Sequence, residues 1–163
     1  MEQSEQQYLT FTLAGERYAL SIKSVREILG NVRITKLPCT APYLLGLINL
    51  RGSGVPVIDL RKRFGLDQEG ETSEAAIVVA EMRFGENTII AGLLADAVHE
   101  VISLDQAAIE APPLMGGERK ASFFEGIAKS GDGFLIILDA DGLLDEDGIE
   151  NVRKIVDQAG QRS

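Results

Sequence analysis

The sequence predicts a mostly β protein made of two small closed barrels and a C-terminal α-helix. Short runs of alternating or fully apolar residues, separated by Gly, Pro and Asn, recur along most of the 163 residues, and such runs are typical of strands. Two sequence patterns occur twice, which indicates a duplicated β unit. Only the tail places its apolar residues on one face at helical spacing.

The chain begins with a predicted β-hairpin. Residues 8–13 and 18–22 alternate apolar and polar side chains, and residues 14–17 between them have the length of a hairpin turn and contain a Gly. Residues 32–37 predict another short strand, which ends at prolines because proline cannot donate to a central ladder.

A second hairpin is predicted from residues 46–50 and 55–60, which flank Gly52–Ser53–Gly54 as the turn. Pro56 places its strand at a sheet edge or at a bulge. Residues 61–65 predict a helical turn.

Residues 66–74 predict a polar connector, and residues 69–73 within it form the predicted boundary between the two halves of the chain. Beyond them the sequence predicts strands at residues 76–80, 88–94, 98–104 and 134–138, a Pro- and Gly-containing loop at 111–122, and an amphipathic helix at 149–159 that Gly160 ends.

An internal repeat supports the two-barrel architecture. Val25–Leu29 recurs as Val98–Ile102, and Gly46–Asp59 recurs as Gly126–Asp139. Each copy is a β unit of roughly 65–75 residues, and a closed barrel is expected because closure removes exposed strand edges.

The charge distribution argues against several classes of partner. The formal net charge is −9 and the pI is about 4.6, whereas nucleic acids and anionic membrane surfaces attract basic proteins. Residues 1–65 carry +4 and residues 66–163 carry −13. We therefore expect a basic and an acidic half that contact different partner surfaces.

Few residues suit catalysis or metal binding. The single Cys39 excludes a disulfide framework, and the single His99 argues against His-based catalysis and poly-His metal sites. Phosphate-binding and nucleophile-elbow motifs are absent from the sequence. The acidic run near residue 145 fails the EF-hand spacing, and Asp145, Glu146 and Asp147 instead favour a helix start. The sequence predicts no catalytic residue, metal or cofactor.

Targeting signals are also missing from the sequence. The N-terminal residues lack a basic and an apolar region, and no apolar run approaches the roughly 20 residues of a membrane helix. These observations predict a soluble, intracellular domain.

Arg51 is the residue with the strongest signal for recognition. Two glycines follow it closely, so its guanidinium should project from a hairpin end, where it could bind carboxylates or carbonyls of a partner. Composition alone leaves open the alternative that Arg51 is a solvated turn residue.

The same segments carry a family resemblance. Phe11–Tyr18, Val25–Ile28 and the pattern Gly46–Gly52 with Pro56–Arg61 resemble the CheW-like chemotaxis coupling proteins, and the second half agrees through residues 92–98, 100–101, 126–127 and 135–139. The resemblance covers residues 7–158, as a single domain. It implies two SH3-like five-stranded barrels, approximately residues 18–70 and residues 71–145 plus 7–17, with a helix at 147–159; exchange of strands between the barrels stays open.

The resemblance also implies a function. Such proteins are cytoplasmic adaptors without catalysis that couple chemoreceptor cytoplasmic tips to a CheA-type histidine kinase in membrane-associated receptor arrays, where ring assembly is possible. The positions that match the receptor site are Val25, Glu27, Gly46, Asn49, Arg51 and Val101. Those that match the kinase contacts are Ile22, Glu110 and Met115.

This chain departs from the family at Ser53 and Gly54, where bulky apolar residues are usual. The departure leaves the receptor and the behavioural output open, so a coupling protein of a non-motility chemosensory pathway is one alternative. Another is a small-ligand-binding barrel, although small barrels usually have filled interiors. An oligonucleotide-binding barrel would need a basic, aromatic groove, which this acidic chain does not suggest.

Overall fold

The computed structural model of the chain describes residues 5–30, 32–37, 41–66, 74–111 and 123–159. The described strands are β1 Glu5–Leu13, β2 Glu16–Ser21, β3 Val25–Leu29, β4 Thr35–Lys36, β5 Leu44–Leu50, β6 Ser53–Asp59, β7 Ala76–Phe84, β8 Asn87–Ala95, β9 Ala97–Asp105, β10 Phe124–Ser130 and β11 Gly133–Leu138. The described α-helices are α1 Leu60–Phe64 and α2 Glu146–Ala159.

The strands form two sheets, and the predicted mostly β fold is confirmed. Sheet A has the order β9-β1-β2-β11-β10, and sheet B has the order β3-β7-β8-β6-β5-β4. The pairs β2–β11 and β6–β8 are parallel, and the other pairs are antiparallel. The chain passes from sheet A to sheet B through a 3₁₀ turn at Ile22–Ser24 and returns to sheet A at Asp96.

The two sheets have the same strand order, which explains the sequence repeat. In sheet B the order begins with β3 and the hairpin β7–β8; in sheet A the corresponding places are taken by β9 and the hairpin β1–β2. The repeated hairpins β5–β6 and β10–β11 also correspond. In sheet A, Glu110 forms an antiparallel β-bridge with Ile127 of β10, and this bridge corresponds to the pairing of the two-residue strand β4 with β5 in sheet B. The N-terminal hairpin therefore completes the sheet built by the C-terminal half.

The strands are divided between the sheets differently from the expected barrel boundaries. Sheet B is built from residues 25–95, so β2 lies in sheet A, while β7 and β8 pair with β3 and β6 in sheet B. The expected boundary near residue 70 rested on the polarity of the connector. Polarity indicates that a segment is exposed, but it carries no information about which sheet the next strand joins.

The corrected division also changes the charge of each half. Residues 25–95 contain eight basic and eight acidic residues, so their net charge is zero, and the rest of the chain carries −9. Sheet B is therefore neutral rather than basic, and the acidic character belongs to sheet A with its flanking segments.

Several local details differ from expectation. The turn between β5 and β6 is Arg51–Gly52, and Ser53 and Gly54 already belong to β6. Strand β6 lies inside the sheet, not at an edge, but its parallel ladder with β8 begins at Val57, so Pro56 pairs only with Leu47. The strand expected at residues 32–37 is reduced to β4.

The predicted first hairpin, the helical turn and the C-terminal helix are confirmed. The side chain of Asp59 accepts hydrogen bonds from the backbone N–H groups of Arg61 and Lys62 in α1, and Gly65 ends this helix at φ 72°. Asp145 accepts a hydrogen bond from the Gly148 N–H at 2.8 Å at the start of α2. Cys39, the connector residues 67–73, most of the loop at 111–122 and Gly160 lie outside the described residues.

The core has three parts, which follow from the alternation of the strands. Tyr8 in β1 lies in a cluster within sheet A, and Val79 in β7 lies in the corresponding cluster within sheet B. The neighbouring residues Leu9 and Val78 point to the opposite faces and join the largest cluster, which contains side chains from both sheets. Strands β1 and β7 are therefore buried on both faces. The largest cluster joins the two sheets, so the two halves of the chain form one stiff scaffold.

Candidate functional site

The turn between β5 and β6 presents Arg51 at the end of a hairpin. Arg51 has φ 53° and Gly52 has φ 90°, which is the pattern of the two-residue turns that match strand twist. The Asn49 side-chain oxygen accepts a hydrogen bond from the Gly52 N–H at 2.8 Å. The Asn49 side chain thus holds the turn. The Arg51 side chain is 74% exposed, as the sequence predicts.

Arg51 forms a two-point ion pair with Glu27 on β3. Its Nη1 donates to Oε2 at 2.8 Å, and its Nη2 donates to Oε1 at 3.0 Å. Strand β3 is one edge of sheet B, while β5 lies near the other edge. The pair therefore spans the gap between the two ends of the sheet, as expected for a sheet that curls into a barrel, and it fixes the guanidinium plane.

The electrostatics of the pair follow from this geometry. Hydrogen bonds from Arg51 lower the pKa of Glu27 below its usual value, and the Glu27 carboxylate raises the pKa of Arg51. Both groups are charged at neutral pH. An exposed, oriented guanidinium and a carboxylate with free lone pairs can together bind polar groups of a partner.

Position 46 has no room for a side chain, because the backbone of β4 passes close to Gly46. A Cβ atom at this position would lie 2.0 Å from the carbonyl oxygen of Thr35, because β4 crosses β5 closely at a register shift. The equivalent Gly126 has the same role, since its Cβ would lie 2.5 Å from the Glu110 carbonyl oxygen. The repeated glycines therefore allow a neighbouring segment to pair with the hairpin.

A shallow cleft of 220 Å³ lies beside the turn. Asn49 lines it together with Leu47, Gly52, Ser53 and Gly54. Because Ser53 and Gly54 are small, the cleft stays open beside the turn.

Strand β3 adds an apolar contact that sequence reasoning missed. Ile28 directly follows Glu27 and is 45% exposed, whereas Val25 at the start of the strand packs against the shared core. Residues 25–29 do not alternate apolar and polar side chains, so the exposure of Ile28 follows from the edge position of β3, which leaves that face uncovered. Glu27 lies opposite Val79 of the sheet B cluster and Ile28 lies opposite Val78 of the shared core, so the two side chains occupy opposite faces of β3.

Val101 lies on β9, the corresponding edge strand of sheet A, and is 44% exposed. In the repeat, Val101 aligns with Ile28. Each sheet therefore presents an apolar residue on the same type of edge strand. Glu27, Arg51 and Asn49 are brought together by the fold, while Val101 belongs to the other sheet.

Ile22 occupies the 3₁₀ turn where the chain enters sheet B. It is half-buried against the shared core and lines a groove of 320 Å³ with Glu5, Gln6 and Gln7 of β1. This groove is a second candidate contact surface.

Glu110 is exposed and exchanges two backbone hydrogen bonds with Ile127, at 2.8 and 2.9 Å. The last residue of β9, Asp105, pairs with Glu5, and Glu5 lines the same groove as Ile22. Glu110 follows five residues after this end of β9. Met115 lies outside the described residues.

Two half-buried polar clusters fix the regions behind these surfaces. Arg61 of α1 donates to Asp96 from Nε at 3.1 Å and from Nη2 at 2.7 Å, and Asp96 also accepts from the Ala14 N–H at 2.8 Å. The Tyr43 hydroxyl donates to Asp145 at 2.7 Å and so ties the start of α2 to the loop before β5.

Within the described ranges, no group of three or more His, Cys, Asp or Glu side chains is placed to hold a metal ion. His99 is exposed on β9 and contacts the Thr12 hydroxyl at 2.7 Å. Nor does the described part of the chain contain a helix that is both long and apolar enough to span a membrane.

Comparison with protein families agrees with this architecture. The family model for the CheW-like domain matches residues 7–148. The chain belongs to the CheW-like family. The resemblance seen in the sequence motifs is thereby confirmed, and the SH3-like barrel description fits the two sheets of this CheW-like chain.

Individual relatives cover nearly the whole chain. Chemotaxis protein CheW of Klebsiella aerogenes is 33% identical over 152 residues, which are 91% of this chain and 89% of that protein. Chemotaxis protein CheW of Bacillus subtilis is 33% identical over 151 residues, or 93% of each chain. The crystal structure of scaffolding protein TtCheW from Thermoanaerobacter tengcongensis has a TM-score of 0.76 and 43% identity, covering 88% of this chain and 94% of that one.

Proposed function

We propose that this chain is a non-catalytic adaptor that couples the cytoplasmic tips of chemoreceptors to a CheA-type histidine kinase. The family and the names of the relatives, a chemotaxis protein and a scaffolding protein, support this proposal. In this role the chain works in the cytoplasm and is recruited to receptor arrays at the membrane, where it joins rings with the kinase or with itself.

The observation that carries the proposal is the two-point Glu27–Arg51 pair at the end of the β5–β6 hairpin. An exposed, oriented guanidinium and a carboxylate lie together on a stiff barrel, as expected of a surface that recognises another protein by contact. Asn49 holds the turn, Gly46 allows β4 to pair with the hairpin, and Val25 and Val101 extend the receptor surface. The kinase surface comprises Ile22, Glu110 and Met115.

Small-ligand binding is a weaker explanation. Buried side chains occupy the interior enclosed by each curled sheet: Ile48, Val57 and Val79 in sheet B, and Tyr8 and Ile137 in sheet A. The described clefts are open grooves at the surface rather than cavities inside a barrel.

Co-sedimentation with receptor-containing membranes tests the receptor site. Arg51→Glu should abolish co-sedimentation, because the reversed charge repels both Glu27 and the partner group that Arg51 binds. Arg153→Glu on the exposed face of α2 makes the same change of charge and is the control. Undiminished co-sedimentation of Arg51→Glu would refute the site assignment.

A pull-down from the native cytoplasm with the full chain tests the partners. A receptor and a CheA-type kinase should be recovered together. Recovery of neither partner would contradict the adaptor role.

A further inference from the structure

The proposed receptor and kinase surfaces meet in one short segment of the chain. Ile22 belongs to the kinase surface, and Val25 and Glu27 belong to the receptor surface. Only Lys23 and Ser24 separate Ile22 from Val25. The segment is also where the chain crosses from sheet A to sheet B.

Hydrogen bonds hold both ends of the 3₁₀ turn at this crossing. The Ser21 hydroxyl oxygen accepts a hydrogen bond from the Lys23 N–H at 3.3 Å, and the Val25 N–H donates to the carbonyl oxygen of Ile22. Ile22 is also packed against the core that both sheets share. The 3₁₀ turn is therefore hydrogen-bonded at both of its ends, and a displacement at one end should be passed to the other.

A β-bulge follows directly. Val25 pairs with Ala80 and Glu27 pairs with Val79, so Arg26 is the extra residue on β3. A bulge sets which face each following side chain occupies. Here it places Glu27 toward Arg51, so a shift at the turn would change the position of the ion pair.

We propose that the segment Ser21–Glu27 is the mechanical link through which occupancy of the receptor surface changes binding at the kinase surface. The inference rests on the proposed function and deepens it. Receptor contact at Glu27 and Arg51 restrains β3, the closed turn transmits this restraint to Ile22, and the groove beside Ile22 changes its affinity for the kinase. By thermodynamic linkage, kinase binding changes receptor affinity by the same factor.

The test measures that factor with the full chain, a soluble receptor cytoplasmic fragment and the kinase. The coupling factor is the ratio of kinase affinities with and without saturating receptor fragment, and values of about 5 to 150 are typical of coupled sites. One Gly inserted between Ser24 and Val25 should bring the factor to about 1, while the kinase affinity without receptor fragment stays within about twofold, because the Ile22 groove is retained.

Two matched variants separate coupling from general destabilisation. Ser24→Gly loosens the turn without changing its length and should lower the factor, whereas Ser24→Ala restrains the backbone and should retain it. A Gly inserted between Gly85 and Glu86, in an exposed hairpin turn of the same sheet, should leave the factor unchanged.

Each outcome decides a specific claim. A coupling factor that is unchanged in both loosened variants overturns the link, and so does a factor of 1 in the natural chain when both partners bind. If the natural chain binds neither partner, the proposed function falls, and the link falls with it. Should the insertion variant fail to fold, Ser24→Gly against Ser24→Ala still decides the question.

Discussion

Glu27 and Arg51 are 24 positions apart in the chain, yet their side chains form a two-point ion pair at 2.8 and 3.0 Å. The pair joins an edge strand of sheet B to the hairpin turn that lies toward the opposite edge. It therefore fixes the orientation of an exposed guanidinium, while a partly solvated pair of this kind adds little to stability.

The first prediction separates orientation from stability. Glu27→Gln should change the free energy of unfolding by less than about 1 kcal/mol, since the pair is partly solvated, but should weaken receptor binding by about tenfold because Arg51 loses its fixed orientation. Chemical denaturation and receptor co-sedimentation measure the two effects. Equal receptor affinity of Glu27→Gln and the natural chain would contradict the orienting role.

The second prediction concerns the repeated glycines. Gly46→Ala and Gly126→Ala should each destabilise the fold by about 2–3 kcal/mol, because the added Cβ would meet a backbone carbonyl oxygen that can move only with its strand. Gly133→Ala, where nothing lies within 4 Å of the added Cβ, should change stability by less than about 0.5 kcal/mol. Similar unfolding midpoints for all three variants would refute the close-approach explanation.

The third prediction concerns the ion pair at the second chain crossing. The side chains of Arg61 and Asp96 are 14% and 16% exposed, so Asp96→Asn should cost about 3 kcal/mol by removing the charged carboxylate to which a largely buried guanidinium donates. Glu81→Gln removes the partner of Arg26 in a more exposed pair and should cost less than about 1 kcal/mol. Equal effects in urea denaturation would argue against burial as the cause.

The fourth prediction is a pH dependence at the start of α2. The hydrogen bond from Tyr43 lowers the pKa of Asp145 below its usual value, with a further contribution from the Gly148 N–H. A depressed folded-state pKa gives stability that is present above the unfolded value of about 3.9 and is lost as the pH falls through the folded value. Tyr43→Phe should therefore show a smaller loss of thermal stability on acidification than the natural chain. Parallel melting-temperature profiles would contradict this.

The fifth prediction concerns ionic strength. Because sheet A and its flanks carry the net charge of −9 and sheet B carries none, association through sheet A should respond more strongly to salt than association through the Glu27–Arg51 surface. Kinase and receptor affinities measured at low and high salt test this. Two equal salt dependences would refute the assignment of the partners to differently charged surfaces.

Local patterns in the sequence determine most of the secondary structure. Alternation specifies the strands of the first hairpin, Asp59 and Gly65 mark the limits of α1, and helical spacing specifies α2, because these signals act over a few residues. The motif around Arg51 also suffices to indicate the family and an exposed side chain at a hairpin end.

Long-range pairing decides the rest. Short apolar runs indicate that β7 and β8 are strands, but they do not encode whether these strands join sheet A or sheet B. The partner of Arg51 and the carbonyl oxygen that requires Gly46 likewise come from distant segments. These features depend on which strands become neighbours, and that choice is made by burial of both strand faces in the shared core, which exists only in the folded molecule.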